Sequence, residues 1–372
     1  MQVTLTLPVI LNGAVIVLGI FAALGLFFRQ KNRQANKFMG LLLLSMSLWM
    51  IDNFMRISGI YQNNPGYYFK PIYYSFAFGP LIYFYVRSIV NGQFRFRAKD
   101  ALHFIPVVLQ ASLYLFLSTQ DYSYKRWFWL EVHSPFTYRL EFDGTFISLL
   151  IYVLLSLKLI VDYQKWLKEN YSETTLKQLN WLKVILLLMG VLSLQWFVEV
   201  IMRDVYDNFY QYNYSVFILG LLTLILAYRA FYQADQQDVE FERDTSQKKE
   251  SKDLELKDEI IEAIQNRMNQ EKDFLNPDLN LKVFAGNCRL PKRTVSQHIN
   301  QRLNQSFHEY VNQYRVEEFK NRIAEYGDQG LTLEGLAYEC GFNSKATFNR
   351  IFKKYTGFTP SEFVSKHAQN AS

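Results

Sequence analysis

The chain has 372 residues, enough for two domains, and half of them are hydrophobic. Its mean hydropathy of -0.06 averages unlike parts, because residues 1–234 carry a net charge of +8, residues 235–278 of -7 and residues 279–372 of +5. Two cysteines, Cys288 and Cys340, and five scattered histidines argue against a disulfide framework and against a zinc site; no metal and no other cofactor is expected.

Seven apolar blocks come first, at residues 9–28, 38–57, 71–90, 101–119, 145–161, 184–202 and 214–231. Each approaches the run of about 20 residues that a helix needs to cross a bilayer core. The N-terminus lacks a basic region ahead of the first block, which predicts a retained first span instead of a cleaved leader. Lys and Arg gather after the odd-numbered blocks, 13 against 5 on the other side, which predicts an N-terminus outside and a C-terminus in the cytoplasm.

Two acid–base pairs interrupt the apolar blocks at helical i, i+4 spacing, Asp52 with Arg56 and Glu199 with Arg203. Ionisable residues at that depth mark either a functional site or a structural ion-pair clamp. The outer joints are rich in aromatics, among them Tyr61, Tyr68, Tyr124, Trp127, Trp129, Tyr206, Tyr210 and Tyr212, which suits either an interfacial belt or a ligand pocket. Pro80 and Pro106 lie inside the third and fourth blocks and are expected to kink them.

Residues 233–258 form a charged, acidic connector. Leu256, Ile260, Ile261, Ile264 and Met268 then recur at helical spacing and predict the first core helix of a terminal domain, residues 259–372. That domain contains a repeat. Leu279 to Leu290 aligns with Leu331 to Phe342 at an offset of 52, and Thr294 to Asn304 aligns with Thr347 to Gly357 at 53. Each copy reads as helix, tight turn, helix. Asn304 and Gly357 are matched, and both residue types tolerate the left-handed conformation that ends a helix. Between the copies, Ser306 and Glu309 form a capping box, and Gly327 after Tyr326 stops the helix; this predicts a connecting helix of 20 residues, about 30 Å long. Thr359 and Glu362 form a second capping box.

With Ala337, Gly341, Phe342, Phe348, Phe352, Lys353, Lys354, Gly357, Thr359 and Pro360 in place, the segment resembles the AraC/XylS-type double helix-turn-helix domain. The whole chain is similar to the membrane-bound branch of that family. The resemblance implies an all-α protein, a seven-helix transmembrane bundle (residues 1–232) followed by a cytoplasmic DNA-binding domain. It also implies that the second helix of each copy enters a DNA groove. Arg293, Ser296 and Gln297 would then face base edges in the first copy, with Lys292 and Asn300 nearer phosphates; Lys345, Asn349 and Arg350 would read bases in the second, with Lys353 or Lys354 on the backbone. The first copy departs from the family pattern in having His298-Ile-Asn-Gln where an aromatic-Lys step is usual.

The implied protein is a bacterial, membrane-embedded one-component transcription regulator with double-stranded DNA, membrane lipid and a small-molecule or peptide signal as partners. RNA polymerase and a second copy of the chain are further candidate partners. The alternative is a multi-span transporter or receptor whose terminal domain binds protein. No phosphate-binding glycine loop, nucleophile elbow or kinase motif points to an enzyme.

Overall fold

A computed structural model describes residues 5–174, 178–206, 214–232, 241, 258–323 and 332–371. All regular structure among them is helical, and the chain divides into two compact units. Unit 1 is Met1–Val161 with Leu179–Glu242; unit 2 is Asp162–Gln178 with Arg243–Ser372.

Unit 1 contains α1 (Leu7–Phe28), α2 (Arg33–Ile57), α3 (Phe78–Val90), α4 (Ile105–Ser118), most of α5 (Tyr138–Asn170), α6 (Asn180–Tyr206) and α7 (Tyr214–Tyr232). The second helix is its hub, packing against α1, α3 and α7. At Gly40 a side chain would stand 3.1 Å from the Ala23 carbonyl oxygen, so the absence of one lets α1 and α2 approach closely. The outward faces are apolar along their length: Val17 and Phe21 on α1, Val108 and Leu109 on α4, Leu154 on α5, and Leu187 and Leu194 on α6 are all exposed.

Among the described residues, five helical stretches are long and apolar enough to cross a membrane by length and composition, and two shorter apolar helices, Ser75–Val90 and Val216–Tyr232, stand where the third and seventh spans were expected. The third is shorter than its apolar block because residues 71–74 are not helical. Both prolines, expected to kink their spans, stand just after a 3-10 stretch, Ala98–Phe104 and Ser75–Ala77, that runs directly into the α-helix. Pro106 occupies the first turn of α4 and Pro80 is the third residue of α3. Proline is tolerated in a first turn because its missing N–H has no intrahelical acceptor there.

The fifth helix differs most from its apolar block. At 33 residues it is about 50 Å long, well beyond a hydrocarbon core of about 30 Å, and the part after Val161 belongs to unit 2.

Unit 2 also contains α8 (Asp258–Asn269), α9 (Leu281–Asn287), α10 (Lys292–Gln297), α11 (Phe307–Arg322), α12 (Leu333–Glu339), α13 (Lys345–Thr356) and α14 (Pro360–Ala371). Ile264 and Met268 of α8 are fully buried, as a core helix requires. Apart from Phe241 and Asp258, the acidic connector lies outside the described residues. There are two hydrophobic cores, and α11 serves both. Phe307, Tyr310 and Val311 enter the first with Phe284, Val295 and Ile299, while Val316 and Phe319 enter the second with Phe342, Phe348 and Phe352. The connecting helix is described over Phe307–Arg322, 16 residues and about 24 Å; its expected end at Tyr326 and Gly327 lies outside the described residues.

Candidate nucleic-acid interface

The repeat is exact down to backbone bonds. In the first copy Arg289 N–H donates to the Gly286 carbonyl (3.0 Å) and Leu290 N–H to that of Ala285 (3.0 Å). In the second, Gly341 N–H donates to Tyr338 (3.0 Å) and Phe342 N–H to Ala337 (3.1 Å). Both turns use a left-handed residue, Arg289 at φ 56° and Gly341 at φ 89°, and both second helices end at one, Asn304 at φ 51° and Gly357 at φ 81°. The N-caps correspond too: the Asn280 side chain accepts from Lys282 N–H and Val283 N–H, and the Thr332 hydroxyl accepts from Gly335 N–H. Cys288 and Cys340 follow the ends of α9 and α12 as buried residues.

Gly341 has a further constraint, since a Cβ there would lie 2.5 Å from the Phe274 carbonyl oxygen. That carbonyl accepts from Nε of Arg315 (2.7 Å), whose Nη2 donates to the Asn276 carbonyl (2.7 Å). The Arg315 guanidinium is 1 % exposed and lies 5.9 Å from the centre of the Phe342 ring. Burial pulls its pKa down to about 10, so it remains a cation at neutral pH. One side chain of the connecting helix therefore joins the loop before the first copy to the turn of the second.

The second copy presents a regular outward face. The Ser344 hydroxyl caps α13 by accepting from Thr347 N–H, and Thr347, Phe348, Ile351 and Phe352 are buried. Lys345, Asn349, Arg350 and Lys353 are thereby turned outward, spaced four, five and eight residues from the first. Lys345 also lies 3.3 Å from Glu334. Lys354, expected near phosphate, bonds Glu309 of α11 at 2.7 Å instead. Lys354, helped by the Ser306 cap, holds the Glu309 carboxyl down to about 2. Tyr355 adds a hydroxyl bond to the Glu309 carbonyl (3.0 Å). Lys354 thus ties α13 to the connecting helix.

The first copy presents a less regular face. Its α10 has six residues and continues into a π-helical turn, His298–Arg302. Lys292 and Arg293 are exposed, Ser296 and Gln297 are half-buried, and the Asn300 amide donates to the Ser296 hydroxyl at 3.1 Å. Of the unusual step, His298 and Ile299 face the core, while Asn300 is half-buried and Gln301 exposed.

In unit 1, Arg56 bonds Asp52 at 3.2 Å as its spacing predicts, and the Tyr61 hydroxyl donates to the other Asp52 oxygen at 2.7 Å. The Gln195 amide donates to Glu199 at 3.3 Å; the Arg203 side chain, Tyr210 and Tyr212 lie outside the described residues. Sequence reasoning missed a second polar centre. Glu141 is buried, accepts from the Tyr114 hydroxyl (2.9 Å) and lines a small cavity with Trp49, Tyr73, Ser75, Thr145 and Trp196. Ser75 and Thr145 share a hydroxyl bond of 2.7 Å, and both indole N–H groups, of Trp49 and Trp196, are buried beside it. Phe69, Tyr73, Tyr114, Phe128 and Trp129 pack beside it, so outer-joint aromatics here form a core. The missed signal was a lone Glu a few residues before the fifth block.

Among known proteins, residues 285–366 match a family model described as a helix-turn-helix domain. The chain is 28 % identical over 123 residues, 33 % of its own length and 70 % of the relative's, to an uncharacterised HTH-type transcriptional regulator in the cgkA 5′ region of Pseudoalteromonas carrageenovora. No solved structure matches significantly. The family match spans the second part of copy one and all of copy two, so this chain carries a helix-turn-helix domain at residues 285–366.

Proposed function

We propose that the chain is a membrane-embedded, one-component transcription regulator. Unit 2 binds promoter DNA through both helix-turn-helix copies. Unit 1 lies in the bacterial cytoplasmic membrane with its N-terminus outside and receives a small-molecule or peptide signal. The observation that carries the reading is the duplicated turn geometry, with Lys345, Asn349, Arg350 and Lys353 held outward on α13. Arg and Asn offer bidentate donors to guanine and adenine edges, and the lysines suit phosphates. The exposed apolar faces of α1, α4, α5 and α6, together with the Lys/Arg bias between joints, support the membrane part. We assign the signal to the Asp52–Arg56–Tyr61 group, with Glu199 and Arg203 as its counterpart on α6, or to the Glu141 cavity.

The test is selection from random duplexes by the full-length protein in lipid nanodiscs at two salt concentrations. The proposal expects an enriched motif with two half-sites about ten base pairs apart and an affinity that falls with salt. No enrichment at either concentration would rule it out.

A further inference from the structure

The joint between α5 and α6 does not end as a loose connection. Residues 162–178 belong to unit 2, and Tyr171 forms an antiparallel bridge with Asn280, the N-cap of α9. Ser172 is 1 % exposed and every polar group it has is bonded. Its N–H and hydroxyl both donate to the Leu279 carbonyl, at 3.2 and 2.6 Å. Its own carbonyl accepts from Nδ1 of His308 (2.6 Å) and from the Asn312 amide (2.9 Å), and Nη2 of Arg315 donates to its hydroxyl at 3.3 Å.

His308, Asn312 and Arg315 project from one face of α11, at i, i+4 and i+7, and all are buried. A face carrying three buried donors is costly unless something supplies acceptors. Here Ser172 does so. Two of those donors have other work in the unit: Arg315 also braces the carbonyls of Phe274 and Asn276 against the Gly341 turn, and Asn312 bonds the His308 carbonyl at 2.7 Å. Whatever displaces Ser172 therefore disturbs the residue that aligns the two helix-turn-helix copies.

We infer that the face of α11 formed by His308, Asn312 and Arg315 is a receptor for residues 171–174, and that the reading unit engages DNA with this joint seated and loses affinity when it leaves. The effect on DNA rests on the function proposed above; the seating itself does not. Because the joint is covalently continuous with α5 and α6, a change in those helices has a direct route to the reading unit that does not pass through the acidic connector.

Three measurements on the full-length protein in nanodiscs test this. The wild-type amide of Ser172, which donates to the Leu279 carbonyl, should exchange with deuterium at least about a hundredfold slower than an open loop; exchange at the open-loop rate overturns the seating. Tyr171→Cys with Asn280→Cys places two thiols at opposed positions of an antiparallel bridge, within disulfide reach. The pair should close under mild oxidation while neither single variant does; failure to close in a protein of unchanged helix content overturns the seating as well. Ser172→Pro removes the N–H and hydroxyl bonds and should weaken DNA binding by about tenfold or more, and closing the disulfide in that background should restore it. Unchanged affinity, or no rescue, overturns the role in DNA engagement. A wild type that binds no DNA defeats the regulator reading and leaves the first two measurements to decide the seating.

Discussion

The two helix-turn-helix copies of unit 2 share one backbone plan and differ in what they put on it. Turn bonds, N-caps, left-handed residues and buried cysteines correspond at offsets of 52 or 53, yet the second copy offers a regular 12-residue reading helix and the first a six-residue helix run into a π-helical turn. The turn of the second copy is a glycine under a carbonyl, and that of the first is an arginine. The backbone plan is thus what a helix-turn-helix requires, while the outward face of the second helix is free to diverge. We expect the second copy to carry most of the base selectivity and the first to add register and grip.

The largest expected effect tests the turn. Gly341→Ala forces a methyl against the Phe274 carbonyl at a positive φ and should destabilise unit 2 by about 3 kcal/mol or more, read as a fall in the unfolding midpoint. A change below about 1 kcal/mol would mean that the turn relaxes freely. Next comes the reading face. Arg350→Ala should cost about 1 to 3 kcal/mol in DNA binding and relax selectivity at one base position, while Arg293→Ala should cost less; equal losses would erase the division of labour between copies.

Replacing the strained residue of the first turn works in the opposite direction. Arg289→Gly should raise stability by up to about 1 kcal/mol in denaturant melts, because glycine takes φ 56° without a Cβ penalty. The smallest effect separates two neighbouring lysines. Lys353→Ala should lower the salt dependence of binding by about one phosphate contact, whereas Lys354→Ala should cost a few tenths of a kcal/mol in stability through its partly exposed Glu309 pair. That pair has a pH signature. Glu309 is held below its ordinary range, so its contribution is full above that range and fades as pH falls toward about 2. Melts of the two lysine variants between pH 5 and pH 2 would show it as convergence of Lys354→Ala with the wild type.

Much of unit 2 was legible because its determinants are local. The capping boxes at Ser306 and Thr359 and the left-handed residues Asn304 and Gly357 are short-range signals, and all stand where the residues predict. Arg315 was legible in principle too, as a cation sharing i, i+4 spacing with Val311 and Phe319 on an otherwise apolar stripe. Apolar composition alone hid the helix ends in unit 1. It could not say that Pro106 starts a helix, that residues 71–74 stay out of one, or that α5 continues nine residues past Val161. Ser172 was least visible of all, because its partners lie 107 to 143 residues away and leave no periodicity in the chain.

The matched cysteines have a chemical consequence of their own. Burial pushes the Cys288 thiol up to about 11 and the Cys340 thiol up to about 12, so neither supplies the thiolate that oxidants and electrophiles attack at neutral pH. The chain holds no other sulfhydryl. Thiol oxidation has no ready handle on the wild-type protein, and a maleimide or spin-label reagent should pass over it and mark only a cysteine that mutagenesis places on the surface.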